Sequence, residues 1–302
     1  MVDSCFVLLN PVVSTDPQFQ HLQIRSYTTQ QPIMKPFRII LCDMNKSVTQ
    51  LWKSFIQEAA TKNPNLVFIY NDSFEALIDH LKVDAVKNHA KTYSVVSPGN
   101  SFGYLGGGFD LALYKYFGGA PFEKWFRRQL DNEYKPVGSI TTVDLRNCKE
   151  QNLNPTRDGL GYIIHCPTMI TPNGPIFNPS EPMKTGVEPV FDATWNALRY
   201  APDDTDAIIL SGLCTGYAAV PEALSCKSMI FAIRLYLCDG LLSSEMKNIL
   251  IMHFLGYPYR AYFPKECKEE AERVGISLEN LHAFNALCDP IDWILPPHLI
   301  IE

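Results

Sequence analysis

Two glycine-bearing loops hold most of the side chains that could do chemistry. The first reads Ser97-Pro98-Gly99-Asn100-Ser101-Phe102-Gly103-Tyr104-Leu105-Gly106-Gly107-Gly108-Phe109-Asp110. Asn100 carries an amide that both donates and accepts hydrogen bonds, which suits a sugar hydroxyl. Gly106, Gly107 and Gly108 remove three side chains in a row just before a predicted helix. Backbone N–H groups there can approach a phosphate, and the helix dipole adds about 0.3–1 kcal/mol per charge. Asp110 falls in that helix's first turn. Read without a ligand, the glycines make a turn and Asp110 favours a helix start. The second loop reads Ser211-Gly212-Leu213-Cys214-Thr215-Gly216-Tyr217-Ala218-Ala219-Val220-Pro221. Gly212 and Gly216 permit close backbone approach, and Thr215 adds a hydroxyl. The helix that Pro221 opens adds a second N-terminus. Read without a ligand, it is a strand-to-helix connection. Cys214 could be a thiolate at a helix N-terminus, but a small packing residue is the simpler reading. The third feature is Asp72, which either accepts a hydrogen bond from an adenine amino group or caps the next helix. Neither loop carries Lys or Arg, so two backbone-lined anion cradles suit one small diphosphate better than a nucleic acid.

Several familiar signatures are absent. There is no Gly-x-x-x-x-Gly-Lys-Ser/Thr phosphate loop, and Gly103 to Gly108 is not a Gly-x-Gly-x-x-Gly fingerprint. His165-Cys166 lacks the Arg that a cysteine phosphatase needs, since Pro172 stands six residues on. Asp43 is followed by Met44 and Asn45 rather than by a second aspartate two residues on. Neither a Gly-x-Ser-x-Gly elbow nor His-Glu-x-x-His occurs.

The elements that must position these loops alternate between two periods. Short apolar runs at Phe37–Cys42, Leu66–Tyr70, Thr92–Val96, Ser139–Leu145, Gly161–Cys166 and Ala207–Leu210 read as strands. Helical spacing marks Ser47–Thr61, Leu111–Phe117, Phe122–Leu130, Val187–Tyr200 and Pro221 to about Leu237. Asp72-Ser73-Phe74-Glu75 resembles a helix start, with Asp72 as the acid cap. The pattern predicts an α/β domain with a mixed or mostly parallel sheet under helices on both faces. Ligands bind such sheets at the carboxyl ends of strands, and both glycine loops leave strands there. Residues 1–35 read as an extension, 36–255 as the α/β domain, and 256–302 as an appendage packed on it, with a charged helix near Lys265–Arg273.

Composition sets the outer bounds. The chain has 302 residues, 46% hydrophobic and 19% charged, which excludes a largely disordered protein. Asp and Glu number 32 against 26 Lys and Arg, for a formal charge of −6. That excess argues against a nucleic-acid coat or a basic membrane patch. No apolar run approaches the ~20 residues that span a bilayer. The nine cysteines are dispersed, without Cys-x-x-Cys or zinc spacing. A reduced compartment, cytoplasmic or nuclear, is the expectation.

From about Leu66 to Leu237 the order of these segments resembles the macrodomain family. The match includes the strand–Asp72 start, Asn100 with the glycine run, Pro167-Thr168-Met169 after a strand, and Gly212 to Pro221. The run Ser97 to Asp110, followed by Tyr116-Phe117-Gly118, is most similar to a subgroup that includes fungal proteins linked to ADP-ribose 1''-phosphate. The resemblance implies a three-layer α/β/α sandwich and an ADP-ribose pocket. Asp72 would bind adenine. Gly106, Gly107 and Gly108 would hold the diphosphate with Gly212 and the backbone of Leu213, Cys214, Thr215, Gly216 and Tyr217. Asn100 would orient the distal ribose, and Asp110 would be the catalytic carboxylate acting on water near C1'' or its phosphate. The implied activity is metal-independent hydrolysis of ADP-ribose 1''-phosphate or a related derivative, with no cofactor. The alternative is a module that binds ADP-ribose without chemistry. His165 would be either a proton donor at the sheet edge or a satisfied core residue, and Phe102 or Tyr104 would line the pocket or pack as a lid. The chain departs from the family's usual Asn-Ala-Ala-Asn at Ser97-Pro98-Gly99-Asn100, from its Gly and His after the Asp at Leu111 and Tyr114, and from its second-loop aromatic-Gly at Ala218-Ala219.

Overall fold

The computed structural model describes residues 37–62, 66–87, 92–148, 157–238 and 240–299. The predicted N-terminal extension lies outside them. Six strands form one sheet: β1 (Arg38–Cys42), β2 (Val67–Tyr70), β3 (Tyr93–Ser97), β4 (Thr141–Asp144), β5 (Leu160–His165) and β6 (Ala207–Leu210). Their order is β2-β1-β6-β3-β5-β4. All neighbours are parallel except β4, which runs antiparallel to β5 along the edge. β1, β3, β5 and β6 are almost wholly buried, as strands covered on both faces must be.

Strand parity divides the apolar side chains between two cores. Ile39, Leu41, Val96, Ile164, Ile208 and Leu210 face one; Ile40, Cys42, Val95, Ile163 and Ile209 face the other. The second core is closed by α2 (Phe74–Lys87), α3 (Gly108–Phe117) and α4 (Ala120–Gln129). The first is closed by α1 (Lys46–Lys62), α5 (Glu188–Arg199) and α6 (Glu222–Leu237). This is the expected three-layer sandwich with a mixed sheet. Every residue from Ser225 to Leu237 is buried, so α6 must be covered all round. Its outer cover is α7 (Ser244–Phe254), α8 (Lys265–Arg273), α9 (Leu278–Ala283) and the segment that follows. Phe263, Ile276, Leu281, Ile291, Leu295 and Leu299 join the same core as the sheet. Two cations on α6 find partners there. Arg234, 2% exposed, donates to Asp292 Oδ1 at 2.6 Å and to the Leu295 carbonyl. Lys227 donates to the Asp289 carbonyl. None of the described helices is long and apolar enough to cross a membrane.

Three details differ from the sequence expectation. Ser73, not Asp72, caps α2, since its Oγ accepts the Ala76 N–H at 3.1 Å. Asp72 thereby stays free of its helix. Pro221 is the residue before α6 rather than its first residue, with ψ of 132°. α7 and α9 were not expected; both start at a serine cap, Ser243 and Ser277.

Candidate functional site

The carboxyl ends of β1, β3 and β6 open into a cavity of about 630 Å³. Asp72 and Phe74 stand at the end beyond β2, and Asn100, Tyr104 and Thr168 stand at the other. Of the residues singled out from sequence, Asp72, Asn100, Gly106, Gly107, Gly108, Asp110, Gly212, Cys214, Thr215, Gly216 and Tyr217 all line it. Leu213 and His165 do not. The Leu213 side chain is fully buried, and its carbonyl accepts Ser225 Oγ at 2.6 Å. His165 is fully buried at the end of β5, against the edge of Phe126 on α4.

Each loop is fixed by its own bonds. In the first, Asn100 Oδ1 accepts the Phe102 and Tyr104 N–H groups at 3.1 and 3.3 Å, and Nδ2 donates to the Tyr104 carbonyl at 2.7 Å. Glu123 of α4 accepts the Leu105 N–H at 2.8 Å. Arg127 donates to the Phe102 carbonyl at 3.1 Å, with its guanidinium 3.9 Å over the Tyr104 ring. Phe102 and Tyr104 both line the cavity. The second loop leaves β6 with Gly212 N–H donating to Asp43 Oδ2 at 3.0 Å. The Ala218 carbonyl accepts both Ile176 and Phe177 N–H at 3.1 Å. These ties hold Cys214 (φ 60°) and Ala219 (φ 56°) in the left-handed region, which costs a non-glycine residue about 1–2 kcal/mol. Burial pushes the Cys214 thiol up to about 12, which fits packing and not nucleophilic chemistry.

The glycines have different reasons. Gly108 begins α3 at φ +54°, where a side chain is strained. At Gly107 a Cβ would stand 2.6 Å from the Tyr217 ring, so the two loops touch here. At Gly106 a Cβ would meet nothing within 4 Å, so its missing side chain simply leaves room at the cavity. Among the described residues, the N–H groups of Gly106, Gly107, Gly108, Gly216 and Tyr217 make no hydrogen bond to another protein atom. Donors of this kind next to a helix N-terminus form an anion site. Among the described residues no Lys, Arg or His lines the cavity, whereas Asp43, Asp72 and Asp110 do. An anion there would be met by backbone N–H groups and by uncharged side chains such as Thr215 and Asn100.

Asp110 is 3% exposed. Although it sits in the first turn of α3, its Oδ1 accepts Ser97 Oγ–H at 2.9 Å and not an N–H of its own helix. Burial pushes its pKa up to about 7, against the lowering effect of the Ser97 bond. Its Oδ2 rests on Gly99, where an added Cβ would stand only 1.9 Å away. Burial pushes His165 down to about 4, so it is neutral at pH 7.

Three residues that shape the candidate site are not singled out by the sequence. In sequence Asp43 offers only a failed phosphotransfer pattern, yet in the fold it pins the second loop. It follows β1 as Asp72 follows β2, and that repeated strand–acid pattern was the available signal. In sequence Ser97 and Gly99 stand out only as departures from a family motif.

A family model described as Macro-like domain matches residues 24–302. A protein of Aquifex aeolicus (strain VF5), described as uncharacterized, is 29% identical over 141 residues, spanning 46% of this chain and 72% of that protein. Among solved structures, the macrodomain of Mycobacterium tuberculosis DarG aligns with 48% of this chain and 84% of its own, at 15% identity and a TM-score of 0.35.

Proposed function

The chain belongs to the Macro-like domain family, and from that premise we propose that its cavity binds an ADP-ribose derivative and hydrolyses it, with ADP-ribose 1''-phosphate as the substrate. The run Ser97 to Asp110 followed by Tyr116-Phe117-Gly118 is the feature that points to the fungal proteins linked to this compound. Asp72, released from helix capping, suits the adenine end. The unpartnered N–H groups of the two loops suit the diphosphate. Asn100 shapes the loop at the distal ribose and keeps one N–H for a sugar hydroxyl.

The observation that carries the catalytic reading is Asp110. A carboxylate that merely stabilised α3 would face its helix N–H groups. This one faces Ser97 and the cavity, with a pKa raised to about 7. A base with a pKa near the working pH combines adequate strength with a usable ionised fraction. Asp110 takes a proton from water as the water oxygen bonds to phosphorus. The bond from phosphorus to O1'' breaks, and the proton returns to O1''. The products are ADP-ribose and inorganic phosphate.

The second reading, an ADP-ribose-binding module without chemistry, draws on the engagement of Asn100 by its own loop and on the absence of cationic side chains among the described residues that line the cavity. The test couples calorimetric titration with ADP-ribose, using AMP as control, to phosphate release from ADP-ribose 1''-phosphate. Wild-type protein should bind ADP-ribose more tightly than AMP and release phosphate, with turnover rising through about pH 7 as Asp110 ionises. Binding without release would leave the binding module. Equal release by wild type and Asp110→Asn would remove Asp110 from the chemistry.

A further inference from the structure

Behind Asp110 lies a buried pair that the proposed reaction does not touch. Ser97 ends β3 and His165 ends β5, and the two are partners in the parallel register. Strand parity puts Ser97 on the same face as Tyr93 and Val95, the face covered by α3 and α4. Both residues are fully buried. Ser97 Oγ lies 2.9 Å from Asp110 Oδ1 and 3.3 Å from His165 Nδ1.

We propose that Ser97 and His165 are positioning residues for Asp110, with His165 orienting the Ser97 hydroxyl and Ser97 holding the carboxylate so that its other oxygen serves the cavity. The inference rests on Asp110 as the base of the proposed reaction. The logic is a proton count. A hydroxyl has one hydrogen and can donate once. When that hydrogen points at ionised Asp110, Oγ still has room to accept, and the His165 ring supplies the donor as the Nδ1–H tautomer. His165 Nε2, which has no partner, is then the unprotonated nitrogen. The aligned pair points one way, toward Oδ1. Oδ2 is left beside Gly99, whose lack of a side chain is what gives it room.

The other polar groups described nearby have partners of their own. On α4, Glu123 is engaged by the Leu105 N–H and Arg127 by the Phe102 carbonyl. His165 itself also meets the Asn100 backbone, which shares its ring N–H with Ser97, and feels the charge of Lys135 more weakly. Asp43 and Asp72 line the same cavity but bond to Gly212, Asn45 and Ser73 N–H groups. The effects that move Asp110 are its burial and the Ser97 bond.

The test reads the Asp110 carboxyl directly, by carbon NMR of ligand-free protein carrying ¹³C-labelled aspartate, with the signal assigned through Asp110→Asn. A hydrogen bond to a charged group is worth enough that Ser97→Ala should raise the Asp110 midpoint by about one pH unit. Ser97→Thr, which restores a hydroxyl, should return it toward the wild-type value. His165→Phe should raise the midpoint less than Ser97→Ala does, and should add nothing once Ser97 is alanine. If Ser97→Ala does not fold, Ser97→Cys, a weaker donor of similar size, takes its place in the comparison. An unmoved midpoint in the alanine or cysteine variant overturns the proposal. So does a His165→Phe shift that persists in full without the serine hydroxyl. Because no substrate is present, a shifted midpoint with a silent phosphate assay would reject the proposed reaction and leave the support standing. An unmoved midpoint with active enzyme would reject only the support.

Discussion

Replacing Asp110 with asparagine is expected to lower turnover by about 10²–10⁴-fold, the usual worth of a positioned base, and to make the protein more stable at pH 8. The two effects share one cause. Burial raises the folded pKa of Asp110 from 3.8 to about 7. Between those values the folded chain holds a proton that the unfolded chain has lost. Stability contributed by this group therefore falls as pH rises from about 4 to 7, and is lowest once Asp110 is ionised in both states. Asparagine is never ionised and can still accept from Ser97, so at pH 8 the gain should be on the order of 1–4 kcal/mol. His165 has the opposite sign. Its folded pKa is lowered to about 4 from 6.5, so its share of stability rises with pH across that interval. In wild type the two slopes oppose each other between pH 4 and 6.5. In Asp110→Asn the opposition from Asp110 is gone, so the net slope should become more positive than in wild type by up to about 1.4 kcal/mol per pH unit, with Asp192, itself raised to about 6 by burial, still opposing His165 in both proteins. Urea denaturation from pH 4.5 to 8 checks this. Identical pH profiles for the two proteins would contradict the burial of an ionisable Asp110.

Gly99→Ala should lose activity as completely but for a different reason, and should lose stability too. The new methyl would overlap Asp110 Oδ2, at 1.9 Å. The carboxylate is held on its far side by Ser97 and is almost fully enclosed. Either the carboxylate breaks the Ser97 bond and turns further into the cavity, or the loop backbone and the start of α3 shift. Overpacking of this kind typically costs about 1–3 kcal/mol. The clash names its own suppressor. Removing the carboxylate with Asp110→Ala should recover most of the stability lost in Gly99→Ala, a non-additivity expected only of residues in contact. Activity should stay absent in the double variant. Additive losses in denaturation experiments would mean that the two positions do not touch.

How much of this was readable in the sequence depends on how local each cause is. The glycine run and the second loop were legible because a missing side chain next to a helix start is a local signal, and the strands feeding them are short apolar runs. The cap of α2 was not. Asp72 and Ser73 are adjacent and equally able to cap, and which one does so depends on how the chain leaves β2. Ser97 was illegible for a similar reason. A serine ending an apolar strand is unremarkable until parity and strand pairing place it between Asp110 and His165. The reading of His165 kept both a core and a catalytic option, and the fold puts it in the core, one hydroxyl away from the site. The proline-punctuated stretch after Gly256 hid how thoroughly its apolar residues merge with the sheet's own core. Nothing in Pro258-Tyr259 or Pro296-Pro297 indicates that α6 must be covered. The reason lies in α6 itself, where apolar residues leave no outward face.

A cavity whose described lining holds three carboxylates and no cation has a consequence for how a ligand arrives. An anionic nucleotide approaching a chain of net charge −6 meets repulsion at long range and attraction only at contact with the loop N–H groups. Phosphate sites built from Lys and Arg lose affinity as ionic strength rises, because salt screens their attraction. Here salt screens the repulsion instead, over a distance of about 8 Å at physiological strength. Association should quicken with added salt, while the short-range backbone contacts that set the residence time are little affected.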